Sequence, residues 1–266
     1  TPIEIISTQP WTAHALVADQ YGLGRVWMAG DAVHLFTPTG GFGMNTGVSD
    51  AIDLAWKVQA MLEGWGGEHL LESYFEERHP IGVRNTTEAA DCFDRLNAAM
   101  QYGDELDEEG PKGDEFRSRL GVDLKDQEKL ISSSGTLLGY RYEGSPIIVS
   151  DDTPEPADNP RTYIPIARPG HRAPHIWLEE GVSLLDLLGA GFTLLDFGGE
   201  EVDLAPIKDA AKKIGLPLEI VFINDDDAAA LYERRLVLVR PDLMVAWRGD
   251  VLPDDLPALL DNVRGV

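Results

Sequence analysis

Arg25-Val-Trp-Met-Ala-Gly-Asp-Ala-Val-His34 and, after Leu35-Phe36, Thr37-Pro-Thr-Gly-Gly-Phe-Gly-Met-Asn-Thr-Gly47 are the residues on which the reading of this chain turns. Val26 to Ala29 is a short apolar run with strand character. Gly30-Asp31 ends it with a carboxylate at the strand's carboxyl end, where open α/β sheets place their ligands. Four glycines between Pro38 and Gly47 let the backbone approach a flat ligand and adopt positive φ without steric cost. From Asn45 the spacing turns helical, through Lys57 and on to Leu62. The first N–H groups of such a helix lack intrahelical partners and favour negative charge beside them. Gly-Asp after an apolar run is alone only a turn signal, but its union with a Gly-rich loop, a proline and an Asn-Thr helix start has no simple packing explanation.

These residues resemble the second flavin-binding motif of the single-component FAD-dependent aromatic hydroxylases, the p-hydroxybenzoate hydroxylase-like flavoprotein monooxygenases. Within that family the chain is most similar to the phenol and polyketide hydroxylases with an added C-terminal thioredoxin-like domain. The likeness carries over at Gly30, Asp31, Pro38, Gly40, Gly41, Gly43, Met44 and Asn45. It implies that Asp31 hydrogen-bonds the ribityl chain of FAD and that the Gly43 to Asn45 backbone cradles the pyrimidine edge of the isoalloxazine. It also implies that Pro38 lies beside the reactive carbon of the flavin, the one catalytic position in this chain. NAD(P)H would reduce the FAD, and O₂ would then supply one oxygen atom to an aromatic small-molecule substrate. His34 matches in position, but a lone His at a strand end reads as a hydrogen-bonded structural residue.

The family's opening βαβ unit, with the G-x-G-x-x-G turn that grips the ADP half of FAD, does not occur in this sequence. Ile3, Ile5 and Ser7 alternate in a strand-like run that ends at Pro10-Trp11, and Thr12 to Asp19 reads as weakly helical. A chain that opens at Thr1 on an internal strand is therefore expected to be a C-terminal fragment, inactive alone, whose first partner is the missing N-terminal half of the same enzyme.

Composition narrows the classes further. With 43% hydrophobic content, 266 residues can bury at least one core of ordinary size. A net charge of −24 repels nucleic acid and anionic lipid, so neither is expected as a partner. Cys92 is the only cysteine, which excludes an intramolecular disulfide and a thiolate metal cluster, and it reads as a buried thiol. No apolar run approaches the roughly eighteen residues of a membrane span, and a cytoplasmic location is expected.

The expected fold class is α/β: the C-terminal portion of a glutathione reductase-like FAD-binding domain, followed by a thioredoxin-like α/β domain. Residues 1–100 form the first part, with helices over Asn45–Leu62 and His69–Arg78. Pro80 interrupts, and a further helix has Ile81, Val83, Thr87, Ala90, Phe93, Leu96 and Met100 on its core face. Residues 101–164 form a connecting segment, with a solvated acidic loop over Asp104–Glu115 and a short strand at Ile147–Val149.

Residues 165–266 contain a short helix at Ser183–Leu188, a strand at Phe192–Phe197, a helix at Asp203–Ile214 stopped by Gly215, and a buried strand at Leu218–Ile223. A hairpin from Leu236–Val239 through the Arg240-Pro-Asp turn to Met244–Trp247 and a helix at Leu256–Val263 complete the thioredoxin order. With no C-x-x-C, this block excludes thiol–disulfide exchange. The resemblance gives it a structural role, against the main body or between the subunits of a homodimer. Pro174 separates His171 from His175 and argues against a metal pair, and Asp225 to Asp227 fits a helix cap better than a calcium loop. Two other classes stay open: a non-catalytic structural or interaction module, and a related flavoprotein such as a halogenase.

Overall fold

The Gly-rich loop is shorter than the spacing predicts, because Phe42 rather than Asn45 opens the helix after it. The computed structural model describes residues 3–100, 104–126, 132–198 and 202–266. Four two-residue strands precede that helix: β1 (Leu16–Val17), β2 (Gly22–Leu23), β3 (Val26–Trp27) and β4 (His34–Leu35). β1 pairs antiparallel with β4, and β2 with β3. The weak helix expected over Thr12–Asp19 is thus replaced by a strand, whose Leu16 and Val17 find partners in Leu35 and His34. The expected strand at Ile3–Ser7 is exposed chain outside any ladder. The strand expected over Val26–Ala29 stops at Trp27, and Gly30–Ala32 is a 3-10 turn.

Helix α1 (Phe42–Glu63) ends at Gly64 in the left-handed region, and α2 (Glu72–Met100) runs without interruption through Pro80. Two helices were expected there, since proline removes one backbone hydrogen bond. Buried residues on both sides of Pro80, among them Tyr74, Arg78, Ile81 and Asn85, hold one axis. Its core face also differs from the expected stripe. Ile81, Asn85, Ala89 and Cys92 are buried, whereas Val83 and Thr87 are exposed, and the Met100 side chain lies outside the described residues. The face is selected by a polar contact, Asn85 donating to Thr46 on α1, which hydropathy alone does not register.

The expected acidic loop contains a 3-10 turn, Asp104–Leu106, and the start of α3 (Pro111–Asp126), where Pro111 occupies the first turn, a position that has no use for its missing N–H. After α4 (Ser134–Leu138), the strand expected at Ile147–Val149 is reduced to one ladder-like bond, from the Val149 N–H to the Ala246 carbonyl.

The last block opens with the hairpin β5 (Trp177–Glu179) and β6 (Val182–Ser183). The helix expected at Ser183–Leu188 is a 3-10 turn, Leu184–Leu187, closed by a Ser183–Asp186 capping box. There follow β7 (Phe192–Asp196), α5 (Ala205–Ile214), β8 (Leu218–Phe222), α6 (Asp226–Tyr232), β9 (Leu236–Val239), β10 (Val245–Gly249) and α7 (Leu256–Val263). The sheet order is β10-β9-β7-β8, with β7 and β8 parallel and the other pairs antiparallel, a thioredoxin-like arrangement. Gly215 takes the left-handed conformation just past α5, and Asp225 caps α6. β8 lies at the sheet edge and is half-exposed, so the fully buried strand expected there is corrected.

Side chains alternate across a strand, and β7 and β9 are buried at every position, β9 entirely with apolar residues, because both faces are covered. Phe192, Leu194, Leu236 and Leu238 pack on one face with Trp56, Ala60, Trp65 and Leu70 of the first block. Leu195, Val237, Val239 and Val245 pack on the other with Ala173, Leu184 and Tyr232. Trp56 and Trp65 stack with ring centroids 6.3 Å apart, and Phe192 meets both edge-on. One core therefore spans the two blocks. Each such aromatic, once buried, contributes roughly 1.5–3 kcal/mol. The backbone closes the same joint, with the Gly67 and His69 N–H groups donating to the carbonyls of Arg264 and Gly265.

Candidate functional site

The Gly30–Asp31 turn is seated on α1 by a glycine-to-glycine contact. A Cβ added at Gly47 would lie 3.2 Å from the Gly30 Cα, so the turn and the helix touch through bare backbone. Gly30 itself has φ +60°, which favours glycine. Its N–H donates to Asp50 Oδ2 on α1 at 3.1 Å. The same carboxylate receives His34 Nε2 at 2.6 Å on Oδ2 and the Arg78 Nε at 2.8 Å on Oδ1. All three side chains are buried. Burial pushes the Asp50 carboxyl up, but the His34 hydrogen bond and the Arg78 charge outweigh it and hold the group below the usual carboxylate range.

The loop is tied from its other side. Thr39 donates its hydroxyl to the Ala89 carbonyl of α2 at 2.7 Å and meets the Thr37 hydroxyl at 3.1 Å, leaving Pro38 between two anchored, buried threonines with its own ring exposed. Gly40 and Gly41 both have φ near +70°, and Gly41 caps α1 with no side chain on the first-turn N–H groups. Asn45, inside the first turn, donates Nδ2 to the Gly41 carbonyl at 2.7 Å. That bond locks the loop to the helix it precedes.

Around this turn and helix end lies an open groove of about 650 Å³. Of the eight residues expected at a flavin, Asp31, Pro38, Gly41, Gly43, Met44 and Asn45 line it. Gly30 and Gly40 do not. They lie in the backbone beneath, where Gly40 makes room for the Phe42 ring, 2.2 Å from where its Cβ would be. Trp11, Thr12, His14 and Phe36 also line the groove, although they lie outside the residues that carry the flavin resemblance.

A second polar assembly is fully buried where α1, α2 and the last block meet. Lys57 donates to Asp53 at 2.9 Å and to Glu77 at 2.6 Å. Arg240, from the turn between β9 and β10, donates to Glu77 Oε1 at 2.5 Å, to Asp53 at 2.9 Å and to Asp242 at 2.6 Å. Its guanidinium lies over the rings of Trp56 and Tyr142, 5.1 and 5.3 Å from their centroids. Ser145 donates to Glu77 as well. Three carboxyls face two cations, so the assembly carries an excess negative charge when all are ionised. Burial pushes the Asp53 carboxyl up to about 8; Lys57 opposes this while Glu77 and Asp242 add to it. For Glu77, Arg240 and Lys57 overcome burial and hold it down at about 2.

Other candidates are occupied locally. His171 meets Glu155 and His175 meets Ser183, and Cys92 is buried. Among the described residues no helix is long and apolar enough to cross a membrane.

Two families match the chain: the FAD binding domain over residues 1–89 and the aromatic-ring hydroxylase C-terminal family over residues 167–266. The 4-methyl-5-nitrocatechol 5-monooxygenase of Burkholderia sp. is 36% identical over 99% of this chain and 47% of its own length. In both parts the chain is similar to the FAD-dependent aromatic hydroxylases. Among crystal structures, RebC-10x with bound 7-carboxy-K252c superposes with a TM-score of 0.88 at 40% identity, over 100% of this chain and 50% of that one. The flavin-dependent monooxygenase PieE in complex with FAD and substrate gives 0.86 at 33% identity, over 96% and 50%. The chain thus spans about half the length of these hydroxylase relatives. The first block is the C-terminal part of an FAD-binding domain, and the last is the thioredoxin-like C-terminal domain of the family.

Proposed function

We propose that this chain is the C-terminal portion of a monooxygenase that uses FAD, NAD(P)H and O₂ to hydroxylate a phenolic or polyketide aromatic substrate, and that it supplies the ribityl and isoalloxazine side of the flavin site. The observation that carries this reading is the convergence of Asp31, Pro38 and the uncapped first turn of α1 on one groove. The donor set suits the group. A carboxylate accepts from hydroxyls of a ribityl chain, and first-turn N–H groups at Phe42, Gly43 and Met44 donate to an electron-rich ring edge. The open space beside Gly41 lets a planar ring lie against backbone.

In this reading Asp31 orients the ribityl chain, the α1 N-terminus holds the ring edge, and Pro38 shapes the face where oxygen reacts. Bound FAD supplies the oxygen-activating chemistry. Exclusion of water falls to the apolar residues of the groove, Trp11, Phe36 and Met44, together with an N-terminal half of the same enzyme that grips the ADP moiety.

Titration with FAD tests the division of labour. The chain alone should bind FAD weakly or not at all, and joining it to its N-terminal half should restore a flavin spectrum and substrate-dependent NAD(P)H oxidation. Submicromolar FAD affinity in the isolated chain would overturn the half-site reading.

A further inference from the structure

We propose that Asp50 is the positioning residue for the flavin turn: it touches no cofactor, yet it sets where Asp31 stands. The inference rests on the flavin reading of the groove. Asp50 lies two turns into α1, below the groove, and does not line it. Its three donors, two buried and one part-buried, come from three places in the chain: the part-buried Gly30 N–H from the turn, and the buried His34 from β4 and Arg78 from α2. A single carboxylate therefore fixes the turn that carries Asp31, the strand after that turn and the long helix behind both.

The Gly30 N–H is the critical partner. Gly30 directly precedes Asp31 in the chain, and the 3-10 turn Gly30–Ala32 has no side-chain cap of its own. Asp50 supplies from the helix the acceptor that a capping residue would otherwise supply. Arg78 in turn spans from Asp50 to the Tyr142 hydroxyl at 3.3 Å and to the Thr46 carbonyl at 3.3 Å, so the carboxylate cannot swing without losing a buried guanidinium. Its hydrogen-bonding capacity is directed wholly inward, at the backbone of the turn and the two cations or donors that brace it.

The test compares Asp50→Asn with the unaltered enzyme, this chain joined to its N-terminal half. Asparagine keeps the shape but loses the charge, and its amide nitrogen cannot accept from Arg78 or Gly30. The expected result is an FAD dissociation constant raised by about tenfold or more, a shifted visible flavin band, and faster amide exchange at Gly30 and Asp31 at temperatures where the fold persists. Asp53→Asn, in the other buried assembly, should lower thermal stability without changing FAD affinity, which separates positioning from general destabilisation. If Asp50→Asn does not fold, Gly47→Ala acts on the same turn from the other side, since its new Cβ meets Gly30 at 3.2 Å, and it should also weaken FAD binding. FAD affinity and Gly30 exchange unchanged in Asp50→Asn, or in Gly47→Ala where that variant stands in, would overturn the inference while leaving the flavin reading intact. An unaltered joined enzyme that held no FAD would instead overturn the flavin reading, and this inference with it.

Discussion

The groove beside Pro38 and the seam around Arg240 are both polar, and they are opposite in construction. In the groove, Asp31, Pro38, Met44 and Asn45 are exposed and the scaffold is backbone, with glycines at the points of closest approach. In the seam, Asp53, Lys57, Glu77 and Arg240 have no exposed side-chain surface and satisfy one another. A site meant for a ligand leaves its donors waiting. A joint within the chain consumes them. The groove's first-turn N–H groups have no side-chain cap, whereas each carboxylate of the seam has at least one cationic partner.

The sharpest way to break this comparison is at Arg240. Arg240→Met should destabilise the chain by about 3–5 kcal/mol in a urea titration, because Glu77 and Asp53 then remain buried with Lys57 as their one cationic partner and Asp242 loses its Arg240 contact. A loss below about 1 kcal/mol would show that water enters the seam and that the two blocks are less firmly joined than the shared core implies.

The corresponding change in the groove should act on the ligand rather than on the fold. Asp31→Ala, in the chain joined to its N-terminal half, should weaken FAD retention by about 1.5–3 kcal/mol, roughly tenfold or more, through loss of a charge-assisted hydrogen bond. Urea stability of the apoprotein should be unchanged, as Asp31 is exposed. Dialysis that leaves the flavin stoichiometry intact would remove Asp31 from the site.

These two regions were unequally legible in the sequence. Gly30-Asp31 and the loop to Asn45 announce themselves because glycine, proline and a helix start act on adjacent residues, and the thioredoxin-like order of β7 to α7 follows from local period and turn residues. The seam was invisible because its members come from distant segments, Asp53 and Arg240 lying 187 positions apart, and each looks solvated in its own segment. Arg240-Pro-Asp reads as an ordinary hairpin turn. A signal that could have found it is the placing of Asp53 and Lys57 on the same helical face as Trp56 and Ala60. Pro80 misled for a related reason: tertiary contacts held α2 together where the local rule breaks it.

A smaller effect tests the charge count of the seam. The Asp53 carboxyl, near 8 in the fold and near 4 unfolded, holds its proton more tightly when folded, so stability should decline as pH rises from about 4 toward 8. Glu77 acts in the other direction. Its contribution is present above its unfolded range and is lost as pH falls toward 2. Urea midpoints of Asp53→Asn measured at pH 5 and pH 8 should therefore lie closer together than those of the unaltered chain. An equal or larger separation would place the excess proton on another carboxyl.

The smallest expected effect is none at all, and it bears on the nature of the last block. Thioredoxin-like topology invites a redox role, yet residues 165–266 contain no cysteine, and Cys92 is buried on α2. Without a second thiol no intramolecular disulfide can form or break, so the midpoint of urea unfolding should be the same with and without a thiol reductant. What stabilises the block is the face that β7 and β9 present to Trp56 and Trp65, together with Arg240 in the seam. Neither responds to reduction. A midpoint that shifted with reductant would have to arise from Cys92 joining two copies of the chain, which a non-reducing gel would reveal, and it would mean that α2 opens far enough to expose a side chain the fold keeps covered.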